Sequence, residues 1–227
     1  LYAALSESKA SLAICSYDFV DEKGKLLEKK NEIQDGVYSS YQMQKLLNSD
    51  KYWYYVTAWN KLYKRSLFDD IEFPEGKINE DQFIAHRIVD KADRVVVIKD
   101  QLYHYLKRSN SITTTINVKR LDDTFALQDR INYYESHGLK ELCPDVERLA
   151  IKLYPAVRMQ LLGANKFDRK SIKKADAVIR NMYMRYTDHK SFKRIIAITF
   201  PELYYRLLKW KKRKLEKRKE QVDKLIR

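Results

Sequence analysis

Apolar positions change period several times along the chain. Leu12 to Val20, LAICSYDFV, is a mostly apolar run bounded by polar residues and predicts a buried strand. Asp21, Glu22, Lys23 and Gly24 read as a turn and Lys25 to Lys29 as a short return strand, so this stretch predicts a hairpin at a sheet edge. Tyr38 to Leu47 reads as a short helix capped by Ser39 or Ser40. In KYWYYVTAWNKLYKRSLF, the residues Trp59, Leu62, Tyr63 and Leu67 share helical spacing, which assigns most of the crowded aromatics to core. Phe83, Ile84, Ile88 and Val89 outline one face of a helix, and Arg94 to Ile98 and Gln101 to Leu106 predict two strands joined at Lys99 and Asp100. The first residues, LYAALSESKA, read as the tail of a helix already under way.

From Val118 the period is helical throughout. The spacing predicts helices over Val118 to Ser136, over Pro144 to Ala164 with a kink or break at Pro155, and over Arg169 to Tyr186, then segments on either side of Pro201. The expected architecture is therefore an α/β part over residues 1–116, with a sheet and flanking helices, followed by an all-helical region over 117–227.

Composition adds two constraints. The two cysteines, Cys15 and Cys143, offer neither metal spacing nor a disulfide framework, so a reducing cytoplasm is the expected compartment. The net charge of +14 is unevenly placed: Leu1 to Ile116 carries 17 basic and 17 acidic residues, the remainder 28 and 14. The second half therefore looks like a unit that meets a polyanion or an anionic membrane face. Its last segment, PELYYRLLKWKKRKLEKRKEQVDKLIR, would span about 40 Å as a helix. Tyr204, Leu208, Leu215, Val222 and Leu225 fall near one face, but Lys211 and Arg218 interrupt a coiled-coil seam. Leu207, Leu208 and Trp210 beside a basic cluster fit a helix lying on anionic lipid. A solvated helix packed on its own domain, or on a second copy, is the competing reading.

The candidate chemistry centres on Phe73 to Val89, FPEGKINEDQFIAHRIV. Pro74, Glu75 and Gly76 signal a turn. Asn79 reads as the N-cap, with Gln82 three residues on and Glu80 and Asp81 in the first turn, beside the positive end of the helix dipole. Acids there either stabilise a helix start, ionised and weakly basic, or provide a fixed general base at the mouth of a site; spacing alone admits both. After the second predicted strand, Lys107 to Ser111 is basic and hydroxyl-rich, where Arg108 as a fork and Ser111 as a donor would suit a phosphate. His104 reads as a sheet histidine, with no second His or Cys nearby to make a metal site.

Three pieces in order, AWNKLYKRSLF, FPEGKINEDQF and LYHYLKRSNSIT, resemble the second half of a bacterial family 2 glycosyltransferase of GT-A (Rossmann-like) fold, over about Leu1 to Thr115. That resemblance implies transfer of a sugar, with inversion, from a nucleotide-sugar donor to a glycan or lipid-linked acceptor in surface polysaccharide synthesis, by an enzyme peripheral on the inner face of the cell membrane. It implies Asp81 as catalytic base with Glu80 beside it, and Trp59 and Asn60 near the acceptor. Tyr103, Tyr105, Arg108 and Ser111 match the family's loop over the donor diphosphate, with His104 between the tyrosines, and Leu106 stands where that loop's first Arg is usual. The family's Mn or Mg is held by an Asp-x-Asp motif that does not occur in this sequence, nor does its Asp-Gly-Ser stretch. On that reading the chain begins after the nucleotide-binding half and is inactive alone.

Two other expectations compete. One is a basic helical adaptor for anionic membrane, glycan or nucleic acid without catalysis; the zero net charge around the aromatic and acidic motifs argues against specific nucleic-acid binding there. The other is a helical oligomerisation module in a homo-oligomer.

Overall fold

The computed structural model describes residues 1–28, 33–108, 116–163 and 168–186, with 200, 203, 204, 206, 207, 210 and 214 beyond them. Its centre is Leu12–Val20 (β1), whose first seven residues are buried. A strand buried on both faces needs cover on both. On one face Tyr2–Glu7 (α1) lays Ala4 and Leu5 over Ala10, Ala13 and Val96. On the other, Leu12 and Ile14 pack with residues of Ser40–Leu47 (α2), Tyr52–Val56 (α3) and Asp81–Lys91 (α4).

The sheet is mixed. Leu26–Glu28 (β2) and Lys61–Tyr63 (β4) share the outer edge of β1, both antiparallel to it, and Arg94–Leu106 (β5) runs parallel to β1 on its other side. Gly36–Ser39 (β3) closes β5 antiparallel, giving the order β2-β1-β5-β3. The fold is α/β, as the spacing predicts, and the hairpin of β1 and β2 turns through Gly24 at φ +76° while Asp21 accepts from the amides of Lys23 and Lys25.

Several elements differ from expectation. The two strands after α4 are one strand of 13 residues; the Lys99 and Asp100 interruption becomes a slip in register opposite Cys15 to Tyr17. The helical spacing of Trp59, Leu62, Tyr63 and Leu67 produces no continuous helix there, but β4 and then a 3-10 turn over Arg65–Phe68. Asn60 is the physical reason. Its amide nitrogen donates to the carbonyls of Cys15 (2.7 Å) and Tyr54 (3.0 Å), and its own carbonyl accepts from the Cys15 amide (3.0 Å), which fastens the next residues alongside β1. Ser39 caps α2 through a full capping box with Gln42.

Beyond residue 116 come a 3-10 turn, Val118–Leu121, then Asp122–Ser136 (α5), Cys143–Gly163 (α6) and Arg169–Tyr186 (α7), around a second apolar cluster. Pro155 does not end α6, although an interior proline costs about 3 kcal/mol. On either side of it Tyr154 and Arg158 bond Asp176 of α7, the guanidinium at 2.8 and 3.1 Å, so α6 is tied to α7 before and after the proline.

Between the two clusters lies a buried polar network. Arg130 of α5 is fully buried and donates to Leu47 O and Asn48 Oδ1 behind α2 and to both oxygens of Gln82 in α4. Tyr134 donates to Gln44 Oε1 and accepts from Asn48.

Candidate functional site

The loop leading into α4 is shaped by its neighbours across the chain. Gly76 and Asn79 both sit at positive φ, +72° and +53°, a conformation that Gly and Asn tolerate better than other residues. Lys119 holds Gly76 O (3.1 Å), Asp122 accepts from Lys77 and from the Ile78 amide, and Asp123 accepts from Asn79 Nδ2 at 2.9 Å. Asn79 does not cap α4 with its side chain as its spacing predicts, because its backbone is left-handed and Glu80 takes the N-cap position; only the Asn79 carbonyl serves the helix, accepting from the Gln82 amide at 3.0 Å. Lys77, Ile78 and Asn79 thus all hang from the first turn of α5.

That clamp delivers Glu80 to the surface and Asp81 to a half-buried position on the wall of a cavity of about 10 Å³, room for about one water. Tyr55, Ala58, Lys61 and Tyr63 share the wall with the core side chains Leu12, Val56, Ile84, Ala85, Ile88 and Val89. Burial, followed by the neighbouring charge of Glu80, raises the Asp81 carboxyl to about 6, and Lys61 opposes that rise. The weak base expected of a helix-start carboxylate is thereby overturned: desolvation outweighs the helix terminus, giving a group that is mostly ionised at neutral pH yet far more basic than an ordinary aspartate.

Lys61 enters the pocket from β4. Its ammonium donates to Tyr54 O (3.2 Å), to Thr57 O and to Asn60 Oδ1 (2.8 Å), so all three protons have acceptors. Burial lowers it to about 7, against the opposing pull of Asp81.

The other sequence-derived residues divide between two faces of the sheet. Trp59 stacks on Tyr103 (4.5 Å, 29°) and meets Tyr17 and Tyr105 at 4.6 and 5.2 Å, so the segment expected near the acceptor touches the tyrosines expected near the donor. Asn60 is 1% exposed with its whole amide engaged, Oδ1 also accepting from Thr57 at 2.9 Å. An acceptor contact from Asn60 is not what this geometry offers; it shapes the loop that carries Trp59 and Lys61. His104 alternates with Tyr103 and Tyr105, so it lies on the opposite face, where its Nδ1 meets the buried Asp18 carboxylate at 2.5 Å. His104 is accordingly separated from the aromatic cluster with which its loop was grouped. Arg108 is exposed just beyond the end of β5, and Ser111 lies outside the described residues.

Sequence reasoning missed Lys61, Asp18, Asp123 and Arg130. Lys61 was visible as the last residue of Ala58-Trp59-Asn60-Lys61, and Asp18 as a lone carboxylate in an apolar strand. Nothing local marked Asp123 or Arg130, whose partners lie 44 and 48 residues away or further. Among the described residues no group of three or more His, Cys, Asp or Glu could hold a metal ion, so the Mn or Mg implied by the resemblance finds no ligand set here. No described helix is long and apolar enough to cross a membrane.

No protein-family model matches the chain. Two curated proteins of Streptococcus pneumoniae serotype 4 are similar to it. One is a protein named glycosyltransferase GlyA, 29% identical over 84 residues, which is 37% of this chain and 12% of GlyA. The other is a protein named glycosyltransferase GlyG, 29% identical over 121 residues, 51% of this chain and 40% of GlyG. The matched stretch thus spans less than half the length of either relative, and the similarity is to part of two proteins named glycosyltransferases.

Proposed function

We propose that this chain carries the acceptor side of an inverting, nucleotide-sugar-dependent glycosyltransferase of GT-A type that builds a bacterial surface glycan. Asp81 takes the proton from the attacking hydroxyl of a glycan or lipid-linked acceptor as that oxygen displaces a nucleoside diphosphate from the anomeric carbon. The observation that carries this reading is the Asp81 carboxylate itself: half-buried on a pocket wall, clamped by α5 through the preceding loop, and tuned to about 6, close to the optimum for a base working near neutrality.

Around it the roles are positional. Asn60 ties the Trp59 to Lys61 segment to β1, and the Trp59 and Tyr103 stack brings the end of β5, with Arg108 two residues beyond it, to the same side as that segment. Arg108 would then supply a fork for the donor diphosphate. His104, turned to the other face and held by Asp18, contributes less directly than its place in the loop suggests.

In the complete enzyme Asp81→Asn should lower kcat by about 10²- to 10⁴-fold, the usual contribution of general base catalysis, with the fold intact by circular dichroism. Full turnover in that variant would remove Asp81 from the chemistry.

The inner face of the membrane is the proposed location, and a separate observation supports contact with a lipid surface. Phe200, Leu203, Leu207 and Trp210 are 45 to 58% exposed at three- and four-residue spacing, in a segment rich in lysine and arginine.

A further inference from the structure

We propose that Lys61 is a positioning residue for Asp81: its ammonium, pinned by three oxygens of the loop from Tyr54 to Asn60, is the cation that keeps the pocket carboxylate in its base form. This rests on the reading of Asp81 as general base, but the pairing itself is measurable without any substrate.

Two observations lead there. Lys61 of β4 and Asp81 of α4 line one pocket. The lysine is also held far more firmly than a surface lysine, with one proton donated to each of Tyr54 O, Thr57 O and Asn60 Oδ1. Those partners are neutral, so below about pH 7, where Lys61 is protonated, they fix the ammonium without cancelling its charge, and the nearby carboxylate feels it.

The groups around Asp81 make a cation necessary. Glu80 on its own helix start and Asp123 on α5 both disfavour its charge, as does burial. Tyr63 from β4 and Tyr52 from α3 are neutral, their phenols pushed up by burial, Tyr52 to about 12. Among the described residues the other cation within electrostatic reach is Arg130, which does not line that pocket. Lys61 is thus the counter-charge that shares the pocket itself.

The test follows the aspartate side-chain carboxyl carbon of Asp81 by NMR titration in the purified full-length protein, its signal assigned by its absence in Asp81→Asn. Lys61→Met should raise the Asp81 midpoint by about one unit, the lower end of what an opposite charge at close range produces, and Lys61→Arg should leave it within about 0.3. An unmoved Asp81 in a folded Lys61→Met protein overturns the proposal. Should that variant lose its amide dispersion, the reciprocal measurement decides: coupling is mutual, so Asp81→Asn must lower the Lys61 midpoint by a matching amount, and an unchanged Lys61 overturns the pairing. In the complete enzyme the acid limb of kcat/KM should move to higher pH in Lys61→Met while the plateau is largely kept. A uniform loss at all pH would show loop support only and sink the proposal. If Asp81→Asn stays fully active while the titrations shift as expected, the catalytic reading fails and the pair stands as a structural one.

Discussion

Asp81 occupies a position where carboxylates are ordinarily at their most acidic, and the structure makes it basic. The sign of that shift has a consequence for stability. A carboxyl raised from 3.8 to about 6 on folding binds its proton more tightly in the native state, so it favours the fold fully below about pH 4, and that contribution is lost as pH rises through 6. At neutral pH the ionised Asp81 is therefore a cost, on the order of 2 to 3 kcal/mol before solvent screening reduces it. Asp81→Asn should accordingly raise the melting temperature at pH 7.5 and lose that advantage at pH 4; a variant less stable at both would show that the carboxylate is held by favourable bonds instead. Activity should show the opposite demand, with kcat/KM falling about tenfold per unit below pH 6 as the base is protonated. The sequence made the residue itself legible, since Asn79, Glu80 and Asp81 announce a helix start. It did not make the pKa legible, because burial depends on Lys61, Tyr63 and Asp123, which arrive from other elements.

At the scale of elements, local pattern identified those whose burial follows their own period. β1, β2, α2 and the three helices beyond residue 116 lie close to their predicted limits. The pattern failed where pairing with a distant strand decided the outcome. The three residues of β4 have no period of their own and are strand because Asn60 binds Cys15 and Tyr54. Gly36–Ser39 is strand because β5 offers it an edge. Likewise α4 and α5 are joined by contacts that no spacing announces: the acids of the first α5 turn hold the loop before Asp81, and Arg130 holds the turn after it. Replacing Arg130 with Met would leave Leu47 O, Asn48 Oδ1 and Gln82 Oε1 without that donor in a buried site, so a loss of about 3 kcal/mol or more is expected from the denaturation midpoint. Lys at 130 should not restore it, since one ammonium cannot span acceptors on two separate helices as the guanidinium fork does. A Met variant as stable as the parent would mean the network specifies geometry without stabilising it.

Across the whole molecule charge and chemistry are separated. The first 116 residues are electrically neutral and hold the candidate base, while the excess of 14 positive charges lies entirely beyond them. On the proposed reading, such an arrangement suits a protein whose second region is drawn to an anionic surface while its first region works on a sugar. The face of Leu208, Leu215, Val222 and Leu225, whose coiled-coil seam Lys211 and Arg218 interrupt, lies outside the described residues, while Phe200, Leu203, Leu207 and Trp210 are exposed. Lys214 sits 5.1 Å over the Trp210 ring, so the aromatic end of the stripe already carries a cation beside it. Vesicles containing phosphatidylglycerol should therefore sediment the protein, and vesicles of phosphatidylcholine alone should not. Each basic residue near the surface contributes on the order of 1 kcal/mol, so binding should weaken steeply with added salt. Leu203→Glu with Leu207→Glu should abolish sedimentation at salt concentrations where the parent still binds, because insertion of the stripe adds an apolar contribution that salt does not screen. Duplex DNA of equal charge density provides the control. If it binds as tightly as the anionic vesicles, and the paired leucine substitutions weaken neither, the attraction is generic charge and the apolar stripe has no part in it.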